Sequence, residues 1–434
     1  MNLLYNHLSV NQDGHLAIGG LDTVELAKEF GTPAYVMDED AIRMQMRTYL
    51  NAARTYFGAD ALPLYASKAL CFTGIYRIAA EEGLGVDCVS GGELYTAKRA
   101  GFPAERIYFH GNNKTERDID DAMDMGVGTF VVDNVDELLS VESHAAARGI
   151  TQRILLRITP GIDPHTHKAI VTGSVDSKFG SAIETGQAMA IVKLALAQPH
   201  IHLSGFHCHI GSQIFDVNPF VEAAKIMTGF IGEVKTECGY VVEELNLGGG
   251  LGVPYTEFDK PVNYSEAIKN MHAAIEYLCT YQGIPMPRII LEPGRSLVAA
   301  AGITLYTVGS VKEIPGFRTY VSVDGGMPDN PRYALYQSTY TALIANRPDA
   351  PRDCRVTIAG RCCESGDLIG EDMPLQEAKR GDILAVLTTG AYNYAMSSHY
   401  NRLPNPPVIL VKNGQARVAV KRESYEDLVR NDVL

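Results

Sequence analysis

Lys68 closes the run LPLYAS (62–67), which has the pattern of a strand, and opens onto the apolar segment ALCF. A lysine after a strand is ordinarily a solvated loop residue, because ammonium groups are rarely buried unpaired. At the mouth of a cleft the same amine, desolvated, has a lowered pKa and attacks a carbonyl carbon as the free base. The triplet Gly248–Gly250 ends another strand-like run. It is either a loose turn or a place where backbone N–H groups converge on an anion without interference from Cβ atoms. Ser212 and Arg295, on the runs to either side, favour the anion. His207 and His209 alternate about Cys208 and so share a strand face. No carboxylate–histidine set with ligand spacing accompanies them, and no metal site is expected. A flat imidazole stacked on a cofactor ring suits His209, and a satisfied core histidine suits His207. Glu292, in LEPGRS, is either half of a structural ion pair or a carboxylate that keeps a ring nitrogen protonated. Cys362 and Cys363, between Arg361 and Glu364, are either small core residues or part of a functional turn ahead of Ser-Gly-Asp.

These residues need a frame. Between about 62 and 293 the chain alternates short apolar or β-branched runs with helical stretches. The runs are LPLYAS (62–67), VDCVS (86–90), RIYFHG (106–111), TFVVD (129–133), RILLRIT (153–159), LSGFHCHIG (203–211), EELNLGGG (243–250) and RIILEP (288–293). Several are apolar at nearly every position, as parallel strands covered on both faces are. The stretches between them end near glycine, with Thr115 and Asn134 as N-caps. Eight such repeats predict an α/β fold with a closed (β/α)8 TIM-like barrel. An open doubly wound sheet would want a glycine-rich loop after its first strand, where this chain has SKAL. Barrel chemistry gathers at the C-terminal ends of strands. Standing there are Lys68, Asp87 with Ser90, Asn112, Asp133, Arg157, His209 with Ser212, the glycine triplet, and Glu292 with Arg295.

After about residue 300 the texture becomes strands joined by Gly- and Pro-rich turns. The expected domains are therefore a barrel over 38–300 and a mostly-β domain over 301–434. The first 37 residues, short and strand-like, complete the β domain. Composition agrees with a globular chain: 46% of the 434 residues are apolar and 21% charged. A net charge of −13 argues against a nucleic-acid partner. No run approaches the roughly 20 apolar residues of a membrane span, and the first residues lack a signal-peptide pattern. Eight dispersed cysteines without a C-x-x-C pair predict reduced thiols and a cytoplasmic location.

Nine segments resemble, in order, those of the diaminopimelate decarboxylases. They are YASKA (65–69), DCVSGGEL (87–94), SKFG (177–180), HCHIGSQ (207–213), LGGGLG (247–252), EPGRS (292–296), DNPRYALY (329–336), CESGD (363–367) and GAYNYAMSSHYN (390–401). That family belongs to the barrel-type pyridoxal-phosphate decarboxylases, with ornithine and arginine decarboxylases as relatives. The resemblance runs from about residue 10 to ESYEDLVRND and implies a pyridoxal 5'-phosphate cofactor. It makes Lys68 the Schiff-base lysine, His209 the ring-stacking histidine and Glu292 the partner of the pyridine nitrogen. Ser212, Gly249, Gly250 and Tyr392 match positions around the phosphate, and Asp87 matches an acid near the imine. Arg295, Arg332 and Tyr336 match contacts to substrate carboxylate, with Arg295 also beside the cofactor. Cys363 and Glu364 match residues that reach a neighbouring subunit's site, which implies a homodimer with shared active sites. The chain departs from the family pattern at Leu70, where Asn is common, and at Pro328, which bears on the loop presenting Arg332.

The resemblance implies decarboxylation of meso-2,6-diaminopimelate to L-lysine and CO2, with Cys363, Lys68 or water as donor of the Cα proton. This substrate carries an amino-acid centre at its far end, so it calls for cations as well as an anion; Arg295, Arg332, Tyr336, Tyr392 and Glu364 supply both. The alternatives are a decarboxylase of ornithine or arginine, a racemase on the same barrel, and a silent cofactor-binding homologue. A racemase usually avoids a protonated pyridine, which Glu292 opposes. A silent homologue would be expected to lose Lys68, Glu292 or Cys363.

Overall fold

The computed structural model describes residues 3–162 and 177–434. Eight short runs form parallel strands: β1 (Leu62–Ala66), β2 (Gly85–Cys88), β3 (Ile107–Phe109), β4 (Thr129–Val132), β5 (Gln152–Thr159), β6 (Ile201–His207), β7 (Glu244–Asn246) and β8 (Arg288–Leu291). β8 pairs with β1 through Ile290–Leu62, and β4 with β5 through Phe130–Ile154, so the sheet has no open edge between first and last strand. This is the closed (β/α)8 barrel expected from the alternation.

A helix follows each of the first seven strands, and the local sequence sets its limits. Thr115 and Asp118 form a reciprocal capping box at the start of Glu116–Met125, and Asn134 accepts from Glu137 N ahead of Val135–Arg148. Gly101, Gly126 and Gly149 end their helices in the left-handed conformation that glycine adopts without a Cβ penalty. Part of the barrel core is Leu62, Leu64, Tyr108, Val131, Leu155 and Ile290. Side chains alternate along a strand. The residues two further on from Tyr108, Val131, Leu155 and Ile290 are His110, Asp133, Arg157 and Glu292.

By contact density the chain divides into residues 45–252 with 261–296, which contain the barrel, and residues 1–44, 253–260 and 297–434. In the second unit the sheet runs Leu368–Leu375, Cys354–Ala359, Arg318–Val323, Gly302–Ile314, Ala34–Asp38, Val408–Lys412, Gln415–Val420; Ile383–Leu387 also pairs with Gly302–Ile314 and carries Ala342–Ile344. The N-terminal strand Ala34–Asp38 lies inside this sheet, antiparallel to Gly302–Leu305 and parallel to Val408–Val411. The N-terminal segment is not all strand. Thr23–Phe30 is a helix, because Asp22 caps it by accepting from Val24 N and Glu25 N and because Val24, Leu26 and Ala27 are buried together. Those residues join a core with Val36, Ile303, Leu305, Leu387, Ile409 and Val411. Among the described residues, no helix is long and apolar enough to cross a membrane.

One buried acid makes this unit sensitive to pH. Glu39 accepts from Arg43 Nε, Lys412 Nζ and Arg417 NH2, each at 2.8 Å. Burial pushes its carboxyl up, but those three donors outweigh it and hold the pKa at about 2, below the ordinary 4.5. A carboxyl lowered on folding stabilises the native state above its unfolded pKa, and that stability is lost as pH falls through the folded value. Glu39→Gln is therefore expected to lower the thermal midpoint at pH 7. The gap from the parent should close between pH 4.5 and 2 in scanning calorimetry. A gap constant across that window would refute the ionic role.

Candidate active site

Lys68 sits in the one-turn helix Ser67–Ala69 directly after β1, closed by Leu70 N donating to Ser67 O at 3.2 Å. Its side chain is exposed while residues 61–67, 69 and 70 are buried, so the backbone is fixed and the amine is free to reach. Its charge is felt by Asp87, Glu93 and His209.

Glu292 follows β8 and is buried. Asn246 Nδ2 donates to its Oε1 at 2.7 Å, and His207 Nε2 lies 3.1 Å from its Oε2. His110 Nε2 is 2.7 Å from Oε1 and 3.8 Å from Asp87 Oδ1. The His110–Glu292 contact falls outside hydrogen-bond angles, so charge carries it. Burial pushes Glu292 up, but His110 and His207 reverse this and hold it well below the carboxylate range. Burial lowers His110, yet Asp87 and Glu292 together raise it above an ordinary histidine. Burial dominates at His207 and brings it to about 4. Desolvation raises Asp87, opposed by His110. The shifts thus run toward the charged forms of Glu292 and His110 and toward the neutral form of His207.

One expectation holds here and one changes. His207 is a core histidine, and the group it bonds is Glu292. A carboxylate–histidine set does exist: His110, His207 and Glu292 present ligand atoms within 4.8 Å of one another. Sequence spacing hid it because the three come from different strands. The direct nitrogen–oxygen contacts are those of a clamp on the carboxylate.

The glycine triplet proves to be a tight junction. A Cβ at Gly249 would stand 2.1 Å from Glu292 O, and one at Gly250, where φ is +121°, would stand 2.2 Å from Gly211 O. No side chain fits where the ends of β6, β7 and β8 meet in this way. Gly249 N donates to His209 Nδ1 at 3.3 Å, which puts the imidazole proton on Nε2. Burial, then Lys68 and Arg157, lower His209 well below its usual range, so its ring is neutral. Arg295 donates to Ser212 Oγ from Nε at 3.3 Å and NH2 at 3.0 Å. Ser90, read as a strand-end candidate, instead caps helix Gly91–Ala100 by accepting from Glu93 N.

In the other unit, Arg332 opens the short helix Arg332–Tyr336 and is 6% exposed. Its guanidinium lies 5.0 Å from the Tyr336 ring centre and 5.2 Å from that of Tyr392. Its buried Nε has no hydrogen-bond partner, and no carboxylate among the described residues is in ion-pair contact with it. The loop ahead of it is pinned despite Pro328, whose carbonyl accepts from Ser398 N at 2.8 Å. Cys363 is exposed, its N–H held by Asn401 Oδ1 at 2.8 Å, and Glu364 is exposed near the Tyr400 hydroxyl. Asp367 fixes both loops at once, accepting from Met327 N and from Cys362 N, each at 2.6 Å. Cys362 is pushed up to about 12, first by burial.

Residues 40–299 match the pyridoxal-binding domain of pyridoxal-dependent decarboxylases. The chain is 49% identical to the diaminopimelate decarboxylase of Bacillus subtilis (strain 168) over 98% of its own length and 96% of the relative's. It is 48% identical to that of Bacillus methanolicus over 95% and 96%. A crystal structure of diaminopimelate decarboxylase from M. jannaschii in complex with L-lysine superposes with a TM-score of 0.91 at 37% identity, covering 99% of this chain and 98% of that one.

Proposed function

The chain belongs to the diaminopimelate decarboxylase family of pyridoxal-dependent decarboxylases, and on that premise we propose specific roles for the residues above. The reaction is decarboxylation of meso-2,6-diaminopimelate to L-lysine and CO2, with pyridoxal phosphate as cofactor. The observation that carries this reading is the buried, ionised Glu292 on the last barrel strand. Its relatives set aside the ornithine, racemase and silent-homologue alternatives.

The donor set suits the cofactor: an exposed amine, a neutral imidazole, a buried carboxylate, and Ser212 with Arg295 beside the glycine junction. When bound, pyridoxal phosphate supplies a conjugated ring that accepts the electron pair left as CO2 departs. Lys68 Nζ would hold the aldehyde end of the cofactor. Glu292 would keep a proton on the ring nitrogen, and His209 would hold the ring in place. Ser212, Gly249, Gly250, Arg295 and Tyr392 would receive the phosphate, and Asp87 would serve as the acid near the imine end. The Cys363 thiol delivers the proton to Cα. Cys363 and Glu364 act in the neighbouring subunit's site, within a homodimer in the cytoplasm.

At the far end of the substrate, Arg332 and Tyr336, with Arg295, hold carboxylate and Glu364 holds the ammonium. The orphaned Arg332 Nε supports this, because a buried guanidinium without an acid calls for an anion. Arg332→Ala is expected to lower kcat/KM for meso-diaminopimelate by about 100-fold or more. Cofactor absorbance should stay intact, and a variant that loses the cofactor would place Arg332 elsewhere. The overall reading is tested by CO2 and lysine release from meso-diaminopimelate, with the L,L-isomer, ornithine, lysine and arginine in parallel. Release from the meso compound alone is the expected result. Release from ornithine or arginine would refute the substrate assignment.

A further inference from the structure

Two buried carboxylates at one end of the barrel, Asp87 and Glu292, have a histidine in common. His110 Nε2 lies between them, 2.7 Å from Glu292 Oε1 and 3.8 Å from Asp87 Oδ1. All three side chains are within a few per cent of full burial. Two like charges this close in a low dielectric do not both ionise unless a cation separates them; otherwise one takes up a proton.

The other cations nearby are committed. Lys114 Nζ binds Glu137 Oε1 at 2.6 Å and the carbonyls of Val131 and Gly111 at 2.8 and 3.0 Å. Arg157 stacks 4.2 Å over the Phe179 ring and acts first on Asp133, with Glu292 and Asp87 after it. Lys68 acts on Asp87 from the exposed side, and His209 is neutral. His207, packed edge-on against His110 with ring centres 4.8 Å apart, touches only one of the two acids. Asn246 has no charge to offer.

We propose that His110 is a positioning residue, an imidazolium that lets Asp87 and Glu292 ionise together and so keeps Glu292 able to hold the ring-nitrogen proton. His207 and Asn246 are neutral props that set the direction of the carboxylate. The three groups Asp87, His110 and Glu292 then carry one net negative charge, which matches a protonated ring. The direction of the His110 and His207 shifts agrees with this division of labour, while burial still holds Asp87 above the ordinary carboxylate value. The inference rests on the proposed role of Glu292, and goes beyond it by naming what keeps that acid ionised.

The test uses the cofactor-loaded enzyme labelled with nitrogen-15 in histidine. The His110 nitrogens, assigned by their loss in His110→Gln, are expected at imidazolium shifts at pH 7, and those of His207 at neutral shifts. Neutral nitrogens at His110 would overturn the proposal, and this readout needs no turnover. In kinetics, His110→Gln should lower kcat by about 100-fold, with KM changed less than about threefold. Its acid limb should move up by about one pH unit or more, because a carboxyl that has lost its cation is harder to ionise. His207→Gln should lower kcat without moving that limb. An unmoved limb in His110→Gln, or an equal movement in both variants, would overturn the proposal. Failure of the decarboxylase reading is recognised separately: the parent enzyme would release no CO2 from meso-diaminopimelate, whatever the histidine spectra show.

Discussion

Lys68→Ala is expected to lower decarboxylation by about 1,000-fold or more, the range lost with a group that both attacks and moves protons. The fold should not notice. Lys68 is exposed at the end of a one-turn helix whose flanking residues are buried, so truncation opens no cavity. Surface changes of this kind stay within about 0.5 kcal/mol. Borohydride reduction followed by peptide mass spectrometry should place the cofactor on the Lys68 peptide in the parent and nowhere in the variant. Activity retained to within tenfold would exclude Lys68 as the anchor. The same variant tests the shared site. Mixed with Cys363→Ala under subunit exchange, half of the dimers are hybrids, and a shared site restores about a quarter of parent activity because one site per hybrid is intact. If each subunit used its own Cys363, every hybrid site would carry one defect and nothing would return.

The barrel was legible because its strands are short, apolar and evenly spaced, and parallel strands covered on both faces must be so. Their C-terminal ends were read too long. VDCVS leaves the sheet at Cys88, LSGFHCHIG at His207 and EELNLGGG at Asn246. The overrun residues are where chains turn against one another: Ser90 becomes a helix cap and Gly249 a backbone junction. His110 was missed for a related reason. Motif reading stops at residues with a familiar neighbourhood, whereas parity places His110 two residues beyond the core residue Tyr108. The same count reaches Asp133 from Val131 and Glu292 from Ile290. What no count supplies is the closure that brings β3, β6 and β8 around one carboxylate. In the β unit, Leu368–Leu375 escaped notice because Gly370, Pro374 and two acids give it the look of a turn, although it pairs with Cys354–Ala359. The helix at Thr23–Phe30 was hidden by its eight-residue length.

Glu292→Gln keeps the shape of the side chain and removes the charge, so it isolates the electrostatic role. The parent carboxylate accepts from Asn246, faces His110 and His207, and is held well below the ordinary carboxylate range. A group lowered in this way is ionised above its folded pKa and loses that state only as pH falls through it. The Glu292 charge is therefore constant from neutral pH down through the ordinary carboxylate range. An amide offers one acceptor and two donors, so part of it must turn an N–H toward His207, His110 or Asn246. It also leaves His110 with Asp87 alone as acidic partner. The larger effect is on chemistry: an amide does not hold a proton on the ring nitrogen, and the electron pair left by CO2 is then poorly stabilised. Removing one such fixed electrostatic partner costs about 100- to 1,000-fold in kcat. KM for meso-diaminopimelate should stay nearly unchanged, because the groups proposed to hold the far end of the substrate are untouched. Single-turnover kinetics should show the loss in CO2 release itself rather than in substrate binding. A raised KM with kcat preserved would instead mean that Glu292 serves binding, and the decarboxylation mechanism would need another source for the ring proton.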